Sequence, residues 1–486
     1  MPSSPGITIV GLGPGNPNHL TREAWELLSS TEEIFLRTSQ HPVVSAFPAA
    51  LSANSFDELY ESEETVEQVY AQIVARVLEL GRRPRGVVYA IPGNPFVAEA
   101  TSTEVARRAR AEGLPVRVVQ GLSFIEPVLA AVGADLLPQT AIVDALDLVA
   151  LHHPLFPPHA PALVAQLHSK EVAGEVKITL MAQYPDEHRV QLVHAAGTES
   201  EVVENLPLHE IDLSPHIGVL SALYVPALGE HTSLEEFQDL IAHLRAPEGC
   251  PWDREQTHLS LRRNLIEETY EVVDALDAED PLALQEEFGD LLAQIVLHAQ
   301  IAAEDGEFRM SDVVHGITTK LIARHPHVFG DLKLGDADAV IANWEHLKAD
   351  EREAQGEPRG ILDGVAAALP ALGQAEAYTA RAARVGFEWP NIEGVLGDVA
   401  EEIRELRKAE TPAERASEYG DILFALVNLA RWLKVDPEAA LRSANARFRQ
   451  RFDYVEAASQ AQGRELKDMT LDEMNALWEE GKATLG

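Results

Sequence analysis

The stretches EETYE at residues 267–271 and EFGDLLAQIVL at residues 287–297 decide the fold of the C-terminal half, because both occur twice. The second occurrence reads EEIRE at residues 401–405 and EYGDILFALVN at residues 418–428. From Ser233 onward, apolar residues recur with a period near 3.6, which is typical of amphipathic helices. A repeat of this kind predicts two related all-helical units.

The acidic residues of each copy are spaced as pairs on one face of a helix. In each pair the acids lie three residues apart, and a turn signal separates the pairs, Asp280-Pro281 in the first copy and Thr411-Pro412 in the second. An antiparallel helical hairpin about that turn brings the four carboxylates to one level. The acids are Glu268, Glu271, Glu287 and Asp290 in the first copy and Glu402, Glu405, Glu418 and Asp421 in the second.

A carboxylate cluster of this size needs a positive partner. Glu-rich helices often present only a solvated face, which is the alternative interpretation. Asp290 and Asp421, however, each precede an apolar run that we expect to lie largely in a core, where an unpaired carboxylate is costly. Hard oxygen ligands in this number suit Mg²⁺ or Mn²⁺, whose remaining positions water and phosphate oxygens fill. The pattern therefore predicts a metal and phosphate site.

The chain lacks the GxxxxGK[ST], GxSxG and HExxH motifs, so phosphate-loop, serine-hydrolase and common zinc-hydrolase chemistry is not indicated. Hydrolysis of a metal-bound nucleoside triphosphate fits the acids, with Glu267 or Glu401 as the predicted acceptor of the water's proton. Basic and aromatic residues farther along each copy are predicted to contact the phosphates and the base; each is otherwise an ordinary surface cation or core aromatic. They are Lys320, Arg324, Trp344 and Lys348 in the first copy and Arg447, Arg451, Trp478 and Lys482 in the second.

These segments resemble the MazG family of all-α nucleoside triphosphate pyrophosphohydrolases. The resemblance rests on GCPWDREQTHLSLRRNLIEETYEVVDAL at residues 249–276, on EFGDLL, on KLIARHPHVFGD at residues 320–331 and on the WExxK segment that closes each copy. It covers roughly residues 237–483 and implies that the EExxE and ExxD acids bind Mg²⁺. It also implies conversion of an NTP to NMP and pyrophosphate by attack at the α-phosphate, and pairing of hairpins into four-helix assemblies, so a homodimer is expected. Which copy turns over substrate stays open.

The first half of the chain has a different pattern of secondary-structure signals. Short β-rich runs alternate with helix-like stretches, which predicts an α/β layered domain. The predicted strands are Ile7–Val10, Val87–Ile91, Val116–Val119, Lys177–Met181 and Ile217–Tyr224, and the predicted helices are Arg22–Ser29, Val97–Ala111 and Ile125–Val132.

Three loops of this half carry glycines: GLGPGNP at residues 11–17, YAIPGNPF at residues 89–96 and VVQGLSF at residues 118–124. The first misses the dinucleotide pattern GxGxxG, and alone it is equally typical of a plain turn from strand to helix. Together the loops resemble the S-adenosylmethionine-dependent tetrapyrrole methylase family over about residues 6–226. The family usually has GPGDP and GGDP in the first two loops, whereas this chain has Asn16 and Asn94.

The second resemblance implies S-adenosylmethionine as a cofactor of the first half. The residues that it implies for cofactor binding are Gly11, Gly13, Gly93, Asn94, Pro95 and Ser123. The order of the two modules resembles the YabN-type fusion of a methylase-like domain with MazG.

The amino-acid composition limits the kinds of partner that the chain is expected to bind. The chain has 39 Lys and Arg residues against 78 Asp and Glu residues, a net charge of −39 that repels nucleic acids and anionic membranes. The single cysteine, Cys250, forms no intrachain disulfide, and the N-terminal residues carry no secretion signal, so a cytoplasmic location is expected. No apolar stretch reaches the roughly 20 residues that span a bilayer.

The sequence thus predicts three domains: a tetrapyrrole methylase-like α/β domain at residues 1–228 and two MazG-type all-α domains at residues 233–350 and 361–486. The predicted function is Mg²⁺-dependent NTP pyrophosphohydrolysis. Two alternatives remain open. One is an S-adenosylmethionine-dependent methyltransferase whose helical half is regulatory, and the other is a non-catalytic nucleotide sensor.

Overall fold

The computed structural model describes residues 5–62, 65–337, 339–340, 343–344, 347 and 360–485. The chain forms two compact units, Met1–Val314 and His315–Gly486. The first unit contains both β-sheets and the first acidic repeat, and the second unit contains the second repeat. The finer division into three domains stays a prediction.

Ten strands occur in the described part of the chain. They are β1 (Ile7–Gly11), β2 (Glu33–Leu36), β3 (Ser52–Ser55), β4 (Val87–Ile91), β5 (Val116–Val119), β6 (Ala141–Asp144), β7 (Ala162–Ala165), β8 (Arg189–His194), β9 (Val202–Pro207) and β10 (Ser221–Val225). The first sheet is parallel throughout, with the order β3-β2-β4-β1-β5. The second has the order β6-β7-β10-β8-β9, and only β6 and β7 are parallel in it.

The centre of the parallel sheet is buried on both faces. Every residue of β1 and β4 is buried, which is why these strands read as continuous apolar runs rather than alternating ones. Ile9 packs on one side of the sheet and Val10 on the other, each within its own hydrophobic cluster. The carboxyl ends of β1, β4 and β5 therefore lie at one edge of a rigid layer.

Helices make up most of the remaining structure. In chain order they are α1 (Arg22–Ser30), α2 (Asp57–Ser62), α3 (Val66–Gly81), α4 (Ala100–Ala111), α5 (Ile125–Val132), α6 (Ala145–Val149), α7 (Lys170–Met181), α8 (Leu234–Arg245), α9 (Pro251–Glu255), α10 (Arg262–Asp277), α11 (Pro281–Asp305), α12 (Met310–Arg324), α13 (Pro326–Phe329), α14 (Ala371–Arg384), α15 (Ile392–Lys408), α16 (Pro412–Trp432), α17 (Pro437–Ala461) and α18 (Leu471–Leu485). Single 3₁₀ turns span Pro17–His19, Pro42–Ala46, Leu208–Leu213 and Leu466–Asp468.

The predicted fold class is confirmed: an α/β domain, here called the front domain (the described residues between 5 and 228), precedes a half whose described residues, between 233 and 485, form helices and no strands. One predicted strand is wrong, because Lys177–Met181 forms the last turns of α7, and the strand predicted from Ile217 begins only at Ser221. Ser169 caps this helix by accepting the backbone N–H of Val172, and the buried residues recur at helical spacing. Packing of that face overrides the β propensity of a β-branched run.

Three glycine loops meet backbone to backbone at the carboxyl end of the parallel sheet. A Cβ atom on Gly121 would lie 2.3 Å from the carbonyl oxygen of Gly93, and one on Gly11 would lie 2.7 Å from the backbone nitrogen of Gly121. Gly13 and Gly93 exchange backbone hydrogen bonds of 3.2 and 2.8 Å. Gly93 also has a φ of +67°, which favours glycine. No side chain fits between these loops.

Each acidic repeat folds as a helical hairpin. The first hairpin is α10–α11, and the second hairpin is α15–α16. Asp280 caps α11 by accepting the backbone N–H groups of Leu282 and Ala283, and Thr411 forms a capping box with Glu414 at the start of α16. A proline follows each cap at the first helical position, where its missing N–H has no cost.

The apolar runs that follow Asp290 and Asp421 do not lie largely in a core, contrary to the sequence-based prediction. Val296 and Leu297 are buried against Ile241 of α8, but Leu292 is 39% exposed and Phe424 is 46% exposed. Two helices can bury only the stripe along which they touch, so the opposite stripe of each hairpin stays open. Within the described residues, no helix combines the length and the apolar character that crossing a membrane requires.

Candidate functional site

The first hairpin gathers carboxylates from both of its helices. Oxygen atoms of Glu268 on α10 and of Glu287 and Asp290 on α11 all lie within 4.8 Å of one another. Burial, Glu271 and Asp290 raise the pKa of Glu268, and burial followed by Glu271 raises the pKa of Glu287. These four acids are the first cluster. The raised pKa values of Glu268 and Glu287 indicate that like charges are crowded in a partly desolvated place.

The second hairpin repeats this arrangement. Oxygen atoms of Glu402 on α15 and of Glu418 and Asp421 on α16 again lie within 4.8 Å of one another. Burial, followed by Asp421 and Glu405, raises the pKa of Glu402. These four acids are the second cluster. The structure thus brings together three of the four predicted acids in each hairpin, whereas Glu271 and Glu405 lie outside the three-oxygen groups.

The predicted proton acceptors lie beside the clusters. Glu267 is exposed and its charge contributes to the raised pKa of Glu268, and Glu401 is exposed at the corresponding position of α15. Neither Glu267 nor Glu401 belongs to the three-oxygen groups. Their role stays a prediction.

The predicted basic and aromatic contacts lie on other helices. The guanidinium of Arg324 on α12 lies 5.9 Å from the ring centre of Trp344. Trp478 packs against Phe448 with ring centres 5.2 Å apart and joins a small apolar cluster of α17 and α18. Lys482 pairs with Glu479 at 2.6 Å. Lys320, Arg447 and Arg451 lie on α12 and α17, and Lys348 lies outside the described residues.

An aromatic cavity of about 730 Å³ adjoins the second cluster, and it is not among the sites predicted from the sequence. Asp398, one turn before Glu402 on α15, lines this cavity and contributes to the raised pKa of Glu402. Its other lining residues include Tyr378, Phe387, Trp389, Phe424 and Asn428. The aromatic pair in GFEWP at residues 386–390, just before α15, was the only sequence signal for it.

In the front domain, the side chains of Asn16 and Asn94 form hydrogen bonds from the glycine loops to backbone atoms of other loops. The Nδ2 atom of Asn94 donates to the carbonyl oxygen of Gly121 at 2.8 Å, and its Oδ1 atom accepts the backbone N–H of Phe96 at 2.9 Å. Asn16 donates likewise to the carbonyl oxygen of Gly197 at 2.7 Å. An aspartate carboxylate cannot donate these bonds. Asparagine therefore suits this loop geometry better than an aspartate at either position.

The residues predicted for cofactor binding lie close together. Gly11, Gly13 and Gly93 meet in the glycine loops, while Asn94 and Ser123 line one cavity beside them. Ser123 donates to the Glu126 carboxylate and accepts the backbone N–H of Ile125 at 3.0 Å. The carbonyl oxygen of Pro95 accepts the hydroxyl of Ser102, which joins this loop to α4.

A cleft of about 190 Å³ lies between the two sheets of the front domain. Gly93, Arg37 and Glu99 line it on the side of the parallel sheet, and Ser221 lines it from β10. Arg37 forms an ion pair with Glu99 there. His41 also lines the cleft; it is 6% exposed, and among the described residues neither of its ring nitrogens has a hydrogen-bond partner. No sequence pattern pointed to Arg37, His41 or Glu99 as site residues.

Replacing Asn94 with aspartate is expected to destabilise the front domain by about 1–3 kcal/mol, because a carboxylate would face the Gly121 carbonyl with no proton to donate. The free energy of unfolding in urea measures the effect. Asn54→Asp makes the same chemical change at an exposed position of β3 and should have little effect. Equal losses for the two variants would contradict this account.

Acidification is expected to destabilise the front domain through His41. Burial lowers the pKa of His41 from 6.5 to about 4. The unfolded chain therefore takes up a proton between these pH values while the folded chain does not, so the free energy of unfolding falls as the pH drops through this window. The loss reaches about 3 kcal/mol below it. The urea concentration at half-unfolding, measured from pH 7 to pH 4.5, should fall less steeply for His41→Asn than for the unchanged protein. Parallel dependences on pH for the two proteins would refute this role of His41.

Comparison with known proteins agrees with both modules. Residues 6–212 match the tetrapyrrole (corrin/porphyrin) methylases, and residues 256–329 match the MazG nucleotide pyrophosphohydrolase domain. The protein YabN of Bacillus subtilis (strain 168) is 39% identical over 98% of both chains. The nucleoside triphosphate pyrophosphohydrolase/pyrophosphatase MazG of Thermotoga maritima is 42% identical over 51% of this chain and 95% of its own. The nucleoside triphosphate pyrophosphohydrolase of Escherichia coli (strain K12) is 42% identical over 51% of this chain and 97% of its own.

The two sheets, the paired acidic hairpins and these matches define a class of two-module proteins, in which a tetrapyrrole methylase domain precedes a MazG-type helical half. The chain belongs to the family of Bacillus subtilis YabN.

Proposed function

We propose that the helical half hydrolyses nucleoside triphosphates to nucleoside monophosphates and pyrophosphate with Mg²⁺ as the cofactor. The observation that carries this proposal is the carboxylate cluster of each hairpin, in which three acids from two helices place oxygen atoms within 4.8 Å of one another. The names of the relatives from Thermotoga maritima and Escherichia coli support the same activity.

The clusters fit a divalent ion. Crowding and burial raise the pKa of Glu268, Glu287 and Glu402, so a positive charge among these carboxylates relieves a real repulsion. Mg²⁺ binds a few carboxylates and keeps other positions for water and phosphate oxygens, and Mn²⁺ suits the same ligands. When bound, such an ion neutralises charge on phosphate oxygens and makes a bound water more acidic.

In the proposed reaction, a water oxygen attacks the α-phosphorus of the nucleotide. The bond from the α-phosphorus to the oxygen that bridges to the β-phosphorus breaks, and pyrophosphate leaves with that electron pair. The water's proton passes to Glu267 or Glu401, the exposed carboxylate beside each cluster. Lys320, Arg324, Arg447 and Arg451, with Lys348 and Lys482, are proposed to contact the phosphates.

A panel of canonical and damaged NTPs tests this function, with pyrophosphate and NMP measured as products. Glu287→Ala with Asp290→Ala removes two acids of the first cluster, and Glu418→Ala with Asp421→Ala removes two of the second. Glu456→Ala, an exposed acid on α17, is the control for loss of charge alone. Pyrophosphate release that survives removal of both pairs would refute the proposal, and tight NTP binding without turnover would favour a nucleotide sensor.

A methyltransferase activity of the front domain is the second candidate. The observation that favours it is the cleft, where buried His41 lacks a partner among the described residues and Gly93 of the glycine loops forms part of the lining. Calorimetry with S-adenosylmethionine tests it. The absence of heat at millimolar donor would remove this candidate.

We also infer self-association into a homodimer. Helix α12 has no buried residue among those described, yet Val314, Ile317 and Leu321 on it are apolar. Apolar surface of this kind supports an interface with a second molecule of this chain. Light scattering over a range of protein concentrations gives the mass directly, and a constant monomer mass would refute the inference.

A further inference from the structure

A serine, a histidine and a glutamate form a line of hydrogen bonds across the second sheet of the front domain. Ser221 begins β10 and lies opposite His194, the last residue of β8, in the antiparallel register. The Nδ1 atom of His194 lies 2.8 Å from Oγ of Ser221, and its Nε2 atom lies 2.9 Å from Oε2 of Glu204 on β9. Because β10, β8 and β9 are neighbours in the sheet, the strands themselves fix the spacing of the three side chains.

Glu204 is held in place and ionised. Its Oε2 atom also accepts the hydroxyl of Ser214, whose own oxygen accepts the backbone N–H of His216 at 3.1 Å. Burial opposes ionisation, but the hydrogen bonds from Ser214 and His194 outweigh burial and lower the pKa of Glu204. Glu204 is therefore a fixed negative charge at one end of the line.

The hydrogen bonds of this line run in one direction. An ionised carboxylate can only accept, so Nε2 of His194 carries a proton and donates it to Glu204. Burial lowers the pKa of His194; Glu204 opposes this shift and His216 adds to it. His194 is therefore neutral near pH 7, and its Nδ1 atom has no proton. The hydroxyl of Ser221 consequently donates to Nδ1.

Ser221 lines the cleft between the two sheets. Its Oγ atom accepts the backbone N–H of Gly218 at 2.9 Å, which uses one of its two lone pairs. No donor among the described residues takes the second lone pair. Ser221 thus combines an available lone pair with a proton that is already directed at a base. The cleft of about 190 Å³ has room for about six water molecules, so a substrate in it is small.

We propose that Ser221, His194 and Glu204, here called the serine relay, hydrolyse small carboxylic esters in this cleft through an acyl-serine. Such an arrangement is defined by geometry and roles and not by sequence position. The three residues lie on three strands, and the sequence around Ser221 reads GVLSA at residues 218–222. The lack of a GxSxG motif is therefore compatible with this relay.

In the first half of the proposed reaction, Oγ of Ser221 attacks the carbonyl carbon of the ester while its proton passes to Nδ1 of His194. The bond from that carbon to the alkoxy oxygen breaks, and the alcohol leaves with the proton. Water then attacks the acyl carbon and gives a proton to Nδ1. The carboxylic acid leaves as Oγ recovers its proton. Glu204 is the positioning residue, because it holds the tautomer of His194 and stabilises the imidazolium.

Phenylmethylsulfonyl fluoride is the probe, because it detects an activated serine without knowledge of the natural substrate. Oγ of Ser221 attacks the sulfur, fluoride leaves, and a sulfonate ester remains on the serine. We expect a single label per chain at Ser221, located by peptide mass spectrometry. We also expect hydrolysis of p-nitrophenyl acetate that the label abolishes, with Ser221→Ala giving the background rate. Failure to label Ser221, or label without ester hydrolysis, would overturn the inference.

Two variants test the other members of the serine relay. His194→Gln removes the base and should slow labelling roughly 100-fold or more. Glu204→Gln keeps an acceptor for Nε2 but removes the charge that raises the pKa of His194. The pH at which the labelling rate is half-maximal should therefore move to lower values in Glu204→Gln. Slower labelling without this move would overturn the positioning role of Glu204, and an unchanged rate in His194→Gln would overturn the relay. Circular dichroism checks folding, and the pH profile of Glu204→Gln decides if His194→Gln does not fold.

Ser123 is the matched control within the same chain. It is also buried and lines a neighbouring cavity, and its hydroxyl donates to the carboxylate of Glu126 with no imidazole among its described partners. We expect no label on Ser123. Equal labelling of Ser123 and Ser221 would show that the imidazole does not activate the serine and would overturn the inference.

Discussion

Replacing Glu402 with glutamine and Asp421 with asparagine is expected to abolish most of the pyrophosphate release that the second cluster supports and, in the same protein, to raise the melting temperature without metal. That part of the activity should fall roughly 1,000-fold, because a bound divalent ion contributes several kcal/mol of transition-state stabilisation. Stability should rise because crowding by Asp421 and Glu405 already raises the pKa of Glu402. Neutral side chains of the same shape remove that repulsion.

We expect Mg²⁺ to reverse the order of the melting temperatures of the double variant and the unchanged protein. The unchanged protein should gain melting temperature as Mg²⁺ is added, since a ligand that binds the folded state stabilises it, whereas the double variant should gain less. The matched control is Glu268→Gln with Asp290→Asn in the first cluster, which should show the same stability pattern. A double variant that melts lower than the unchanged protein in EDTA would show that the acids are structural and not crowded ligands.

Replacing Gly121 with alanine is expected to have the largest effect on the front domain. The new Cβ would lie 2.3 Å from the carbonyl oxygen of Gly93 and 2.8 Å from the Cα atom of Gly11. Both neighbours are backbone atoms at the ends of buried parallel strands, so neither can move without disturbing the sheet. We expect a loss of about 3 kcal/mol or more in the free energy of unfolding.

Gly113→Ala separates this steric effect from the ordinary effect of losing a glycine. Gly113 has a φ of +73° but no atom within 4 Å of its Cβ position, so it tests backbone strain alone. Its cost should stay near 1 kcal/mol. Urea unfolding followed by far-ultraviolet circular dichroism measures both variants, and similar losses would show that the three loops have room to separate.

The acidic hairpins could be predicted from the sequence because every signal for them is local. The turn residues and the helix caps lie within a few residues of Asp280 and Thr411, and the apolar residues on either side have helical spacing. The pairing of the two helices then follows from the position of the turn. The front domain was predictable in class for the same reason. The β-branched run at Lys177–Met181 was not, because its helix depends on the buried face that it presents to the second sheet.

The aromatic cavity and the cleft could not be predicted, because their residues come together only by packing. Tyr378, Trp389 and Asn428 belong to two helices and a loop that are separated in sequence, and no spacing rule joins them. The missing partner of His41 is a property of its surroundings and not of its neighbours in the chain. Whether the apolar faces of the hairpins are exposed likewise depends on which other elements pack against them. A periodic sequence pattern does not identify those elements.

The duplication has a stoichiometric consequence. The chain carries two like carboxylate clusters, one in each hairpin. We therefore expect a titration with Mn²⁺ alone to show two ions per chain, and removal of the acids of either hairpin to leave one. A protein built by doubling a single unit would then count its metals in twos.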